Sequence, residues 1–188
     1  MAFSSKGYVE AGKKASDELQ TALMKASENG KYPVLCDMSP CLYTMRSNME
    51  GSPLELNDLG EFILKYLVGK LKIKKLDKRV AIFAVCSTKK MGTANMLYEV
   101  AKLCAKEVTI IDSNCCGFAG DRGFNLPQLN THGLRMLRSQ VEGTLADGTK
   151  VSPCVEGYAS SRTCEIGLSR NSGITFKSIL YLLDEASE

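Results

Sequence analysis

The sequence predicts an α/β protein with a mainly parallel sheet flanked by helices, and three observations carry that expectation. First, "KRVAIFAVC" (78–86) is a continuous apolar run, the pattern of a strand covered on both faces. Second, strand-like and helix-like segments alternate along the chain. Third, six of the eight cysteines fall at or just beyond the carboxyl ends of those strand segments. In an open α/β sheet that edge is where ligands bind.

The elements follow in order. Residues 8–28, "YVEAGKKASDELQTALMKASE", form an amphipathic helix closed by Asn29-Gly30, a C-cap signal. "YPVLCD" (32–37) is a short buried strand. "SPLELNDLGEFILKYLVGKL" (52–71) has helical spacing, with Ser52 as N-cap and Pro53 at the first helical position. The strand 78–86 is followed by a helix over 92–106 and a strand over 107–113. A helix is expected over 127–143, a weaker strand over 154–160 and a closing helix over 175–187. Residues 1–31 are an N-terminal helical segment, and 32–188 a single cysteine-rich α/β domain.

A faint internal echo links "VLCDMSPCLYTM" (34–45) with "GYASSRTCEIGL" (157–168). In both, a strand leads to a serine, a cysteine and an apolar helix start. The echo predicts two pseudo-symmetric halves, about 32–75 and 78–188, that bring Cys41 and Cys164 to similar positions.

Composition narrows the function classes. Of 188 residues, 44% are apolar and 24% charged, so the chain can bury a real core. A net charge of +3 with no basic stripe and no interleaved aromatics gives nucleic-acid binding little support. The apolar runs are too short to span a bilayer, although peripheral membrane association is compatible with them. The first residues, "MAFSSKGYVEAGKK", have no apolar core and no small-residue cleavage site, so a cytoplasmic location is expected. In that reducing compartment clustered cysteines point to metal, iron–sulfur or thiol redox chemistry rather than a disulfide scaffold.

The cysteines carry the chemistry. Cys36 and Cys41 follow the first strand, Cys86 ends the second, Cys115 and Cys116 follow the third, and Cys164 follows the fourth. Vicinal cysteines cannot easily bridge each other without straining the peptide between them. Cys41, Cys116 and Cys164 each begin a helix-like stretch, where the dipole favours thiolate. Lys89, Lys90, Arg122 and Arg162 lie close to the same loops and would offset negative charge. Gly117 and Gly120 would let the backbone approach a bound group and donate N–H groups to its sulfurs. Cys36 reads more simply as a core residue, as do Cys104 and Cys154. His132, the only histidine, is expected at the surface. No C-x2-C pair exists, which removes ordinary zinc ribbons and ferredoxin-type runs.

What remains is Cys86, 28 residues, the doublet Cys115-Cys116-Gly117, and 47 residues between Cys116 and Cys164. With "VCSTKKMG", "CCGFAGDRGFNLPQLN" and "SSRTCEIGLS" in that order, the chain resembles the cysteine-rich CCG domain. That domain has one upstream cysteine, a Cys-Cys-Gly and a downstream C-x-x-C. It occurs in a subunit of heterodisulfide reductase, in anaerobic glycerol-3-phosphate dehydrogenase and in iron–sulfur glycolate oxidase subunits. It also forms the C-terminal part of FAD-linked D-lactate and related 2-hydroxyacid dehydrogenases, the group this sequence resembles most.

The resemblance implies an iron–sulfur electron-transfer domain, with a cluster of the 4Fe-4S type held by Cys41, Cys86, Cys115, Cys116 and Cys164. It implies FAD-binding and ferredoxin-like domains as partners, in the same chain or another. The chain itself has no FAD-binding glycine pattern and no ferredoxin cysteine run, so hydroxyacid oxidation would occur elsewhere and FAD would belong to the parent protein or partner. Ser161 stands where the family has the first cysteine of its C-x-x-C. The first repeat lacks a doublet, which leaves one cluster rather than two. A metal-free thiol–disulfide domain and a structural zinc-binding domain remain the alternatives.

Overall fold

The computed structural model describes residue 3 and residues 6–188. Four strands form one parallel sheet: β3 (Leu76–Ile82), β4 (Ala105–Ile110), β5 (Glu156–Ala159) and β6 (Phe176–Ser178), in the order β4-β3-β5-β6. A separate parallel pair joins β1 (Val34–Leu35) to β2 (Leu56–Asn57). The α/β class with parallel strands flanked by helices is therefore the one the sequence predicted. Two pseudo-symmetric halves are not confirmed, because a two-stranded pair stands where a second sheet would be needed. The two echoing segments do meet: Ser39 N–H donates to Ser160 O at 3.2 Å, and Arg162 N–H to Met38 Sδ at 3.5 Å.

Side-chain alternation along β3 explains the packing. Val80 and Ile82 face a core shared with Leu59, Leu97, Val100, Ile179 and Leu182. Ala81 and Phe83 face the opposite core, with Phe118, Leu134, Leu137, Leu168 and Phe176. The first core is covered by α3 (Leu59–Phe62), α5 (Ala94–Cys104) and α10 (Ile179–Ala186). The second is covered by α8 (Leu137–Val141) and α9 (Arg162–Ser172), with α7 (Pro127–Gly133) leading into it. A third, smaller cluster around Leu42, Met49, Leu54 and Leu56 ties α1 (Val9–Ala26) and α2 (Ser39–Asn48) to the β1–β2 pair.

Several boundaries differ from expectation. The helix expected from Ser52 starts instead at Leu59, because Asp58 and Glu61 make a reciprocal capping box. Residues 56–57 are thereby released to pair with β1, and a π-helical turn at Ile63–Leu67 continues the helix. The helix expected over 127–143 is broken between Gly133 and Leu137. The closing segment hides a strand: residues 176–178 add β6 to the sheet before Ser178 caps α10. Among the described residues no helix is long and apolar enough to cross a membrane.

Candidate functional site

The topology concentrates three loops at one point. From β3 the chain runs through α4 (Cys86–Met91) and α5 to β4 on one side. From β5 it runs through α9 to β6 on the other. The outgoing connections diverge between β3 and β5, the switch point where open α/β sheets make their ligand crevice. Cys86 follows β3, Cys115 and Cys116 follow β4, and Cys164 lies in the first turn of α9 after β5.

Four of the five expected sulfur ligands come together there. Cys116 Sγ lies 3.0 Å from Cys164 Sγ. Cys115 stands next to both Cys116 and Cys86, so the sulfurs form a row in the order Cys86, Cys115, Cys116, Cys164. The Cys116 and Cys86 thiols beside it hold the Cys115 thiol well below its ordinary value, with help from the Gly117 N–H and the charge of Lys90. Cys164 is lowered by its bond from Cys116 against the opposing effect of burial. The other two move the opposite way: the neighbouring Cys115 and burial raise Cys86, and the neighbouring Cys115 and Cys164 raise Cys116. Among the described residues no three His, Cys, Asp or Glu side chains surround a common point in a way that holds a metal ion. The sulfurs form a row, not a closed cage.

Cys41 is placed elsewhere. It is exposed in the first turn of α2 and lies near Cys36, whose thiol is raised by burial. Cys104 and Cys154 are buried in the two cores, as expected of structural residues, and burial raises both thiols. Cys116 does not begin a helix. Gly117 follows it with φ +69°, and α6 (Arg122–Asn125) starts later, whereas Cys86 is the first residue of α4. Of the basic residues, Lys90 acts on Cys115, Lys89 Nζ donates to Ser113 O at 2.5 Å, and Arg162 pairs with Glu165 at 2.6 Å. His132 is exposed.

The doublet is held from beneath. Gly117 N–H points at Cys115 Sγ, 3.4 Å away. A Cβ at Gly117 would stand 2.4 Å from Leu129 O, so only glycine fits this left-handed turn. Gly120 also has positive φ, +72°, but open space around it.

Two buried amides that spacing did not single out complete the support. Asn130 donates to Cys116 O and accepts from Asn171 Nδ2 at 2.6 Å. Gln140 accepts from Asp112 N–H at 2.8 Å and donates to Asp112 O at 3.2 Å, fixing the chain before the doublet. Their only sequence signal is an uncharged amide in a segment otherwise read as amphipathic.

Two hydroxyls stand out by what they lack. Ser87 Oγ and Ser161 Oγ are buried with no hydrogen-bond partner, the only such side-chain N or O atoms among the described residues. Each flanks a site cysteine. Ser161 lies beside the Cys164 thiol and helps hold it low, without the geometry of a formed hydrogen bond. A buried unsatisfied hydroxyl costs about 1–3 kcal/mol, so the two are a local cost to stability beside the cysteines. Four neighbouring thiols are the ligand type that suits an iron–sulfur cluster.

Comparison with known proteins agrees in part. Over 155 residues the chain is 27% identical to a subunit of the anaerobic glycerol-3-phosphate dehydrogenase of Escherichia coli K12 and, equally, to its counterpart in Escherichia coli O157:H7. The match covers 75% of this chain and 39% of each relative, so the chain corresponds to well under half of their length. No family model and no solved structure matches. The likeness is to a subunit of a multi-subunit dehydrogenase, an oxidoreductase.

Proposed function

We propose that this chain is the iron–sulfur electron-transfer part of a dehydrogenase, with Cys86, Cys115, Cys116 and Cys164 holding one cluster. The observation that carries it is the convergence of four thiols from three adjacent strand ends, flanked by two orphaned hydroxyls. The likeness to a dehydrogenase subunit supports the same role. When bound, the cluster would relay single electrons. The chain's own groups would stabilise it: Gly117 donates its N–H to Cys115 sulfur, and Lys90 offsets thiolate charge. FAD-linked oxidation of a 2-hydroxyacid such as D-lactate, on a partner domain or subunit, is the parent activity the CCG resemblance favours. A glycerol phosphate is the substrate class favoured by the relatives' name. Anaerobic reconstitution with iron and sulfide tests the assignment. Brown protein with a reducible EPR signal supports it, and colourless protein contradicts it.

One observation favours a second reading, a thiol–disulfide pair. The 3.0 Å contact places Cys116 and Cys164 close enough to exchange with a partner disulfide, losing two electrons and two protons together. Metal-free protein whose thiol count falls by two on mild oxidation would establish it.

A further inference from the structure

One cavity has no cysteine in its lining. Its volume is about 580 Å³, within the range of small-molecule sites. The loop after β1, the first turn of α9 and the length of α10 all contribute to it. Glu165 forms its floor and is only 4% exposed, a degree of burial that carboxylates reach almost only when paired. The pairing here is half complete. Glu165 Oε2 accepts from Arg162 Nη1 at 2.6 Å, and Arg162 is itself exposed. Oε1 takes no hydrogen bond from the protein, yet it is not sealed as the orphaned hydroxyls are, so it opens into the cavity. Burial pushes the Glu165 carboxyl up, Arg162 offsets this only in part, and Asp37 adds to the rise. The rim carries two more carboxylates, the exposed Asp37 and Asp184. Leu180 and Leu183 supply apolar wall.

We propose that this cavity binds a short aliphatic diamine, with one ammonium on Glu165, the other at the rim carboxylates, and the methylenes along Leu180 and Leu183. Three carboxylates against one guanidinium leave the lining two negative charges, although the whole chain carries +3. A diammonium ion balances that deficit, and a single ammonium meets only half of it. An anion finds one cation in the lining, Arg162, and that one is already paired with Glu165. An ammonium at Oε1 gains a charge-assisted hydrogen bond and leaves the Arg162 pair in place. The aliphatic spacer packs on leucine as the stem of a lysine does. The assignment is independent of what the cysteines hold.

Calorimetric titration of the whole chain at low ionic strength tests it, with 1,4-diaminobutane, n-butylamine, Nα-acetyl-lysine amide and inorganic phosphate as the four probes. The diamine binds, and n-butylamine binds about threefold more weakly for want of the second charge. Glu165→Gln weakens diamine binding at least about tenfold, the worth of one charge-assisted hydrogen bond. Asp184→Asn, at the exposed rim, weakens it about threefold. Should Glu165→Gln fail to fold, Asp184→Asn decides alone, since its side chain supports no core. No heat with the diamine, equal affinity for n-butylamine, or unchanged affinity in either folded variant overturns the proposal. Tighter binding of Nα-acetyl-lysine amide overturns it in favour of a lysine on a partner protein. Tighter binding of phosphate overturns it in favour of an anion.

Discussion

The two edges of the four-stranded sheet are built on opposite plans. At the amino edge, Lys78 of β3 bonds Glu156 of β5 and reaches Glu185 at 2.6 Å, while Lys177 of β6 reaches Glu156 at 2.8 Å. Arg79 pairs with Glu107 and with Ser152 Oγ at 2.9 Å. Charges there meet opposite charges. At the carboxyl edge, the same strands present four thiols in a row and two hydroxyls with no partner. One edge is held by charge pairs, and the other gathers thiols. Under the proposed function, stability and cluster binding are segregated along the strand direction, so variants at the two edges separate cleanly.

The largest effect is expected from the doublet. Cys116→Ser should cut iron retained after gel filtration more than about tenfold, since thiolates are the cluster's ligands, while the metal-free melting temperature changes little. Cys41→Ser, outside the row, should leave iron content unchanged; iron lost equally from both variants would return Cys41 to the ligand set. Next comes Gly117→Ala, which must move the Leu129 carbonyl as well as strain the backbone. It should lose at least about 3 kcal/mol by denaturant titration. Gly120→Ala, with open space, should lose only about 1 kcal/mol.

The amino edge gives effects of intermediate size on stability and none on iron. Burial pushes the Glu156 carboxyl up, but bonds from Lys177 and Lys78 outweigh it and bring it down to about 2. A carboxylate held low stabilises the fold above its unfolded value near 4.5, and that contribution is lost as pH falls toward 2. Its full size is at most about 3 kcal/mol. Glu156→Gln should therefore destabilise at pH 7 by about 2 kcal/mol and flatten the acid limb between pH 4.5 and 2, read by thermal melts across pH with iron content as control. Similar in size is Asn130→Ala beneath the doublet, which frees Cys116 O and Asn171. It should cost about 1–2 kcal/mol and broaden the EPR signal of the loaded protein. A sharp, unchanged signal would show that Asn130 supports the fold alone.

Much of this was legible in the sequence, and for identifiable reasons. The run 78–86 announced a doubly covered strand, and the cysteines after successive strands announced the shared edge. Both depend on local pattern. What stayed hidden depends on competition or on distance. Asp58–Glu61 outcompeted Ser52–Pro53 as a helix start because two reciprocal bonds exceed one cap. Phe176–Ser178 is too short to announce a strand and forms one only because β5 offers a free edge. Cys41 followed a strand as faithfully as Cys86, but its strand belongs to the β1–β2 pair and not to the main sheet. Asn130, Gln140 and the orphaned hydroxyl of Ser161 act through contacts 14 or more residues away, or through the lack of one.

The central claim is that the carboxyl edge holds an iron–sulfur cluster on Cys86, Cys115, Cys116 and Cys164. It is tested most directly by counting iron and acid-labile sulfide in anaerobically reconstituted protein, with Cys116→Ser alongside. Four thiolates serve clusters of two or four irons, so about two to four irons per chain with matching sulfide are expected, lost in the variant. Wild-type iron as low as that of Cys116→Ser under those conditions would contradict it.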